Sequence, residues 1–157
     1  MNSLAIELLI AGAMVVLTVV IHLVGLSAVV LSTGLHLRRF KTVLHLDRIL
    51  VPCGMVLGVF AIHAVEIWAY ALLYRFGGLS GTLEEALFIS AGAYSTAGWG
   101  ALPLGWRVVI ALESVNGLIL LGWSTAFLFQ NLHRLMVAEE DHPLPAGAIA
   151  RRRNAGR

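Results

Sequence analysis

The stretch Thr82–Gly100, TLEEALFISAGAYSTAGWG, decides the fold class predicted for this chain. Thr82 suits a helix N-cap, and the two glutamates after Leu83 fall in the first turn, where the helix dipole favours negative charge. The helix predicted over 82–94 is shorter than the roughly 20 residues that cross a bilayer. The small-residue run Ser95–Gly100 follows it, and irregular backbone is tolerated at membrane depth only inside protein or beside water. We therefore expect a short helix and a loop that re-enter the membrane from one side.

Long apolar blocks flank this segment, which predicts an all-α membrane protein with three transmembrane helices. The chain is 59% hydrophobic and 13% charged, about half the charged fraction of an average soluble domain. The predicted organisation begins with an additional N-terminal transmembrane helix in 1–37, a basic loop in 38–48 and a second span in 49–76. The short helix in 82–94 and the loop in 95–100 follow. A third span in 106–132 and a polar, basic tail in 133–157, which is predicted to be disordered, come last.

The positions of lysine and arginine predict the orientation of the spans. Nine of the eleven basic residues lie in the 38–48 loop or after the third span, and only Arg75 and Arg107 lie elsewhere. The positive-inside rule then places the N-terminus outside, the C-terminus in the cytoplasm and the re-entrant loop outside, in a plasma or bacterial inner membrane. The single cysteine, Cys53, excludes an intrachain disulfide and is expected to be a small buried residue.

The loop carries the residues that predict chemistry. A cation that leaves water must be given closely spaced oxygens in exchange, and backbone carbonyls supply them when they point along a pore axis. Gly98 and Gly100 can reach the required backbone dihedrals, and Trp99 between them can wedge behind the chain. Thr96 adds a hydroxyl oxygen. The pattern resembles the T-x-G-[YF]-G filter of the potassium-channel pore superfamily.

The resemblance covers about 49–132 and implies a pore domain in which an outer helix, a pore helix, the filter and an inner helix follow one another. Arg107 opens the inner helix, Gly117 lies at the position of the family's hinge glycine, and Gly122 follows as a second hinge candidate. The added first span looks like that of three-span prokaryotic members, which also tend to carry an H-x-x-E-I-W stretch like His63–Trp68. The family assembles as homotetramers, so four subunits are expected around one pore.

The resemblance also assigns roles to residues. The implied ion filter is Ser95, Thr96, Ala97, Gly98, Trp99 and Gly100, and the implied cavity and gate are Leu118, Leu121, Thr125 and Phe129. Potassium or another monovalent cation would occupy the filter, and no other metal, cofactor, small-molecule substrate, nucleic acid or enzymatic activity is expected. Membrane lipid is the expected surrounding. Phe129 is a candidate hydrophobic constriction, and ordinary packing against lipid or helices explains this apolar face equally well.

Several positions depart from the family's pattern. Trp99 replaces Tyr or Phe, Ala97 replaces the usual valine, and Ala101 replaces a frequent aspartate. In well-known members that aspartate is braced by pore-helix side chains at the positions of Phe88 and Gly92, neither of which can make the bond. We therefore expect a filter held by Trp99 packing and by the backbone, with reduced selectivity for potassium over sodium.

Polar residues inside the predicted spans form a second group of candidates: Thr18, His63, Glu66, Glu113 and Asn116. A charge in the bilayer normally faces protein or water, and all but Glu113 lie at similar depths. Two explanations stay open: a polar clamp between helices or subunits, or a proton-sensitive switch at His63 and Glu66. Glu113 is expected either to support the short helix from behind or to snorkel outward.

The leading hypothesis is a passive cation channel, with potassium as the expected ion. A non-selective monovalent cation channel and a non-conducting accessory membrane subunit are the alternatives. The hypothesis from a different class is a haem-binding redox protein with His22 and His63 as axial ligands, although His22 is more simply a helix-packing histidine. The first span contains no lysine or arginine before Arg38, which argues against voltage sensing.

Overall fold

The computed structural model describes residues 4–39, 47–98 and 105–140. Its described part is all-helical, with helices α1 (Leu4–Arg39), α2 (Asp47–Phe76), α3 (Leu83–Tyr94) and α4 (Arg107–Glu140). Predictions for Trp99, Gly100, Ala101, most of the basic loop and the tail beyond residue 140 lie outside these ranges. The described part divides into two compact units, one ending at Ser124 and one beginning at Thr125.

Three of the four helices contain a stretch that is long and apolar enough to cross a membrane, which confirms the predicted number of candidate spans. These stretches are Leu4–His36, Ile49–Phe76 and Arg107–Arg134. Only 17% of the most apolar window of the first is buried within the protein. Such a surface would be costly in water, whereas lipid solvates it without penalty.

Three details differ from the sequence-based expectations. The last helix runs on to Glu140, beyond the predicted end at Leu132, because the charged residues that follow still have good helix propensity. Cys53 is exposed rather than buried, because it lies on a face of α2 that no described segment covers. Pro52, expected in the first turn of the second span, lies inside α2 in its second turn, because the helix already begins at Asp47.

Contacts at the helix ends show that the C-terminal end of α2 and the N-terminal ends of α1 and α4 lie at the same end of the bundle. Gly77, directly after α2, packs so closely on the Trp106 indole that a Cβ there would overlap the ring. Glu7 is buried, and its carboxylate accepts a hydrogen bond of 3.4 Å from the Val108 amide in the first turn of α4. The carboxylate satisfies a backbone group that the helix itself leaves unpaired.

Small residues allow α1 and α2 to approach each other closely. A Cβ at Gly25 would lie 2.5 Å from the Ile62 side chain, and one at Gly58 would lie 2.7 Å from Val29. Close approach at glycine is a common way for membrane helices to associate, because lipid offers no hydrophobic drive between them.

The short helix α3 begins with the cap that the sequence predicts. The Thr82 hydroxyl accepts a hydrogen bond of 3.2 Å from the Glu85 amide, and Ser80 Oγ donates to the Glu85 carboxylate at 2.8 Å. Ala86, Ala93 and Tyr94 are buried on the face of α3 that packs into the bundle, together with Ser90. This face determines which side chains of α3 meet the long helices.

Candidate functional site

The inner face of α3 carries two polar side chains, Ser90 and Tyr94, one turn apart. Both are buried, and each donates a hydrogen bond to a fully buried carboxylate on a long helix. Ser90 meets Glu113 of α4, and Tyr94 meets Glu66 of α2. Each carboxylate therefore ties α3 to one of the two helices that flank it in the chain.

The cluster around Glu113 consists of hydroxyl groups, and we call it the Glu113 site. Ser90 Oγ donates to Glu113 Oε1 at 2.6 Å, and the Tyr74 hydroxyl donates to Oε2. Ser90 Oγ also lies 2.9 Å from the backbone oxygen of Ile67. Of the two alternatives for Glu113, the described contacts thus favour support of α3 from behind over snorkelling.

The cluster around Glu66, which we call the Glu66 site, contains two histidines from different helices. His22 Nδ1 of α1 lies 2.9 Å from Glu66 Oε1, and His63 Nδ1 of α2 lies 3.0 Å from Oε2. The Tyr94 hydroxyl donates to the same Oε2 and lies 2.8 Å from His63 Nδ1. The centroids of the two imidazole rings are 5.4 Å apart. One carboxylate thus serves three polar side chains from three helices.

Ser124 of α4 closes the Glu66 site on the side away from the carboxylate. Its Oγ lies 2.9 Å from His63 Nε2 and 3.3 Å from His22 Nε2. All four imidazole nitrogens therefore face an oxygen atom. His22, Glu66 and the other groups are almost completely enclosed, and His63 is the most exposed of them at 8%.

The remaining polar pair lies between α1 and α4. Asn116 Nδ2 donates to Thr18 Oγ1 at 2.8 Å, and Thr18 Oγ1 in turn lies 2.9 Å from the Met14 backbone oxygen. The predicted polar group is thus brought into contact in three parts: Thr18 with Asn116, His63 with Glu66, and Glu113 with α3. Thr18 of α1 thus bonds to α4, and His22 of α1 bonds to Glu66 of α2, as a clamp requires.

The chain after α3 adopts backbone conformations that side chains rarely occupy. Thr96 has φ 58° and Gly98 has φ 98°. The left-handed region is open to glycine but is unusual for a β-branched residue such as threonine. The Gly98 amide donates to the Gly92 carbonyl at 3.2 Å, so the loop folds back onto the last turn of α3. Ser95, Thr96, Ala97 and Gly98 are all exposed in the single chain.

Two glycines are needed where this loop and α3 approach the rest of the bundle. A Cβ at Gly92 would overlap the Gly98 carbonyl oxygen, and a Cβ at Gly117 of α4 would overlap the Tyr94 carbonyl oxygen. Gly117, which was predicted as a hinge, therefore lies where α4 closely approaches the backbone of α3. Gly122, the second hinge candidate, has nothing within 4 Å of such a Cβ.

The predicted cavity and gate residues are exposed. Leu118 and Leu121 lie on the face of α4 away from the buried residues Glu113 and Asn116. In the second unit, Thr125 and Phe129 are exposed as well, and the Phe129 ring stacks on His133 with centroids 6.3 Å apart.

Several members of the two sites were not predicted from the sequence as partners: His22, Tyr74, Ser90 and Tyr94, which contact the carboxylates, and Ser124, which contacts the two imidazoles. Counting residues inward from the membrane ends placed His22 about four residues away from His63 in depth, whereas their rings are in contact range. Counting assumes parallel helices and ignores side-chain direction. The spacing of Ser90 and Tyr94, four residues apart on a short amphiphilic helix, was the signal available for α3.

No protein-family model matches this chain, and no curated protein or solved structure matches it either.

Proposed function

We propose that the chain is a subunit of a passive cation channel in a plasma or bacterial inner membrane. In this proposal α2, α3 and α4 are the outer, pore and inner helices, and residues 95–100 form a filter of backbone carbonyls. Four copies enclose the pore, with potassium as the expected ion and with the N-terminus outside. The observation that carries the proposal is the left-handed backbone of Thr96 and Gly98 directly after a short capped helix.

The backbone of this loop supports a role in binding cations. A β-branched residue in the left-handed region costs roughly 1–2 kcal/mol, and such strain persists where the surrounding structure imposes it, often at functional sites. Alternating left-handed residues turn successive carbonyls toward one side, which a filter needs. The exposure of 95–98 in the single chain is what a pore-lining segment of an oligomer would have.

The fixed position of α3 supports the same proposal. A filter has to hold its oxygens in place while the ion gives up its water, so the helix before it must not move. Ser90 and Tyr94 tie α3 to two buried carboxylates, and the Tyr94 carbonyl packs directly against Gly117. These contacts brace the helix on its inner face and leave its outer face, with Phe88 71% exposed, for another subunit or lipid.

The bracing of the loop differs from the side-chain network of well-known family members. The Phe88 side chain is exposed, and Gly92 contacts the loop through its backbone alone. Within residues 96–98, backbone hydrogen bonds from the Thr96 and Gly98 amides to the Ala93 and Gly92 carbonyls tie the loop to α3. A loop held in this way is less constrained than one that is also held by several side chains. This favours modest selectivity between potassium and sodium, and a non-selective monovalent cation channel is the alternative within the class.

The geometry of the two histidines argues against the haem hypothesis. His22 and His63 contact the same carboxylate with Nδ1 and the same hydroxyl with Nε2. A porphyrin between them would have to separate both rings from Glu66 and Ser124.

The proposal is tested by cation flux from proteoliposomes that contain the purified chain. Wild type should release potassium, and bi-ionic reversal potentials should show a preference for potassium over sodium. Gly98→Ala should lower the flux about tenfold or more, because its Cβ would force a residue that needs φ 98° out of this conformation. After the mass of bound detergent is subtracted, the protein complex should have a mass near four times 16.9 kDa.

Gly78→Ala is the matched control. Gly78 has φ 79° in the turn between α2 and α3, and a Cβ there also meets nothing within 4 Å. The two variants therefore carry the same kind of backbone strain, one inside the proposed filter and one outside it. An equal loss of flux in both, or no flux from wild type, would contradict the proposal, and the second result would favour an accessory subunit.

A further inference from the structure

We infer that the Glu66 site binds a divalent first-row transition-metal ion, with Zn²⁺ as the best-matched ion, through His22, His63, Glu66 and Tyr94. The inference concerns binding alone and does not depend on the proposed channel activity. It starts from three side chains, His22, His63 and Glu66, whose ligand atoms all lie within 4.8 Å of one another.

The types of ligand define the class of ion. Two imidazole nitrogens and a carboxylate oxygen form a set that zinc commonly uses, whereas calcium and magnesium prefer oxygen alone. Ligand atoms of a tetrahedral zinc site with bonds of about 2.0–2.1 Å lie roughly 3.3 Å apart. The corresponding distances here are 2.9 Å from His22 Nδ1 to Glu66 Oε1 and 3.0 Å from His63 Nδ1 to Glu66 Oε2. Because all three ligand atoms lie within 4.8 Å of one another, side-chain rotations that draw them toward one centre place an ion between them.

Tyr94 is the natural fourth ligand. Its hydroxyl oxygen lies 2.8 Å from His63 Nδ1 and is hydrogen-bonded to Glu66, so it faces the same point as the other ligand atoms. When a divalent ion binds, the phenol proton is released to solvent and the phenolate coordinates. The ion, the carboxylate and the phenolate then carry no net charge together, which matters because charge inside a membrane protein is expensive.

Ser124 provides an independent argument, based on counting hydrogens. When no metal is bound and both Nδ1 atoms donate to the Glu66 carboxylate, two neutral imidazoles present bare Nε2 atoms to Ser124. One hydroxyl has one hydrogen, and it cannot satisfy two acceptors. With a metal on both Nδ1 atoms, each Nε2 carries a hydrogen, and Ser124 Oγ can accept both through its two lone pairs. Metal-bound histidines usually donate their second ring N–H in this way.

Two arrangements without a metal also satisfy the four ring nitrogens. In one, an imidazole is doubly protonated next to Glu66. In the other, His63 Nδ1 accepts from the Tyr94 hydroxyl, His63 Nε2–H donates to Ser124, and Ser124 donates to His22 Nε2. The experiment has to separate the metal-bound site from both, and a spectroscopic signal from the metal itself does so.

The test uses the purified full-length chain in detergent, treated with a chelator, dialysed and titrated with Co²⁺. We expect the intense visible absorption of tetrahedral Co²⁺ to saturate at one ion per chain, and Zn²⁺ to abolish it by displacement. His22→Gln and His63→Gln should each weaken binding at least about 100-fold, and Ser124→Ala about 10–100-fold, as is typical when an outer partner of a ligand is lost. No tetrahedral absorption from the folded wild-type protein would overturn the inference in favour of a site without a metal.

Glu113→Gln is the matched control, because Glu113 is equally buried but has hydroxyl partners and no histidine. It alters a buried carboxylate outside the Glu66 site and should leave the Co²⁺ spectrum and its stoichiometry unchanged. His133→Gln, at an exposed histidine, should also leave both unchanged. A Co²⁺ spectrum that persists in both His22→Gln and His63→Gln would show an ion bound elsewhere and would overturn the inference.

Discussion

Glu66 and Glu113 are both completely buried, both lie inside long apolar helices, and both hold α3 by one side chain. They differ in the rest of their surroundings. Glu113 is surrounded by hydroxyl donors, whereas Glu66 lies between two imidazoles and a phenol. The described partners of Glu113 are the hydroxyls of Ser90 and Tyr74, which hold the carboxylate in place. The imidazoles of His22 and His63 at Glu66 can in addition change protonation or bind a metal.

The largest expected effect comes from removing each carboxylate in turn. Glu66→Ala strands the Tyr94 hydroxyl and two imidazole N–H groups, and should cost about 3–5 kcal/mol of unfolding free energy. Glu113→Ala strands the Tyr74 hydroxyl, whereas Ser90 keeps the Ile67 carbonyl, and should cost about 1–3 kcal/mol. Thermal unfolding of both variants in the same detergent measures the difference. Equal losses of unfolding free energy would mean that the two sites differ in composition but contribute equally to stability.

A smaller effect is expected where α3 meets α4 through backbone alone. Gly117→Ala should cost about 1–3 kcal/mol, the usual range for overpacking, because the Tyr94 carbonyl is backbone and cannot turn aside. Gly122→Ala on the same helix meets open space and should gain roughly 0.5–1 kcal/mol from helix propensity. Thermal unfolding again provides the measurement. If Gly117→Ala were neutral, the two carboxylates alone would hold α3.

The smallest effect is expected at the uncharged pair between α1 and α4. A double-mutant cycle with Thr18→Ala and Asn116→Ala should give a coupling of about 0.6 kcal/mol, the average for polar pairs between membrane helices. The unfolding free energies of the four proteins supply this coupling. The same cycle for His22 and Glu66 should give a larger coupling energy. Equal coupling energies for the two pairs would contradict the contrast between charged and uncharged contacts.

The parts of the fold that depend on local sequence were predictable. Hydrophobic length predicts the three long helices, and Thr82 with the acidic first turn predicts the start of α3, because capping and dipole effects act within a few residues. The exposure of Cys53 was not predictable in the same way. It depends on which face of α2 the other helices cover, and the nearly uniform apolar pattern of a membrane helix carries little information on that point.

The polar sites show the same difference between what local sequence predicts and what tertiary packing decides. The sequence by itself determined that Thr18, His63, Glu66, Glu113 and Asn116 must find partners, because an unpaired polar group in an apolar span is too costly to keep. It also predicted the unusual backbone of Gly98, whereas the left-handed Thr96 was not predicted. Only the tertiary structure decided that His22 and Tyr94 join Glu66 while Ser90 joins Glu113. The physical reason is that helix tilt and rotation are set by close packing at positions such as Gly25, Gly58 and Gly117, and a shift of one turn would pair each carboxylate with different neighbours.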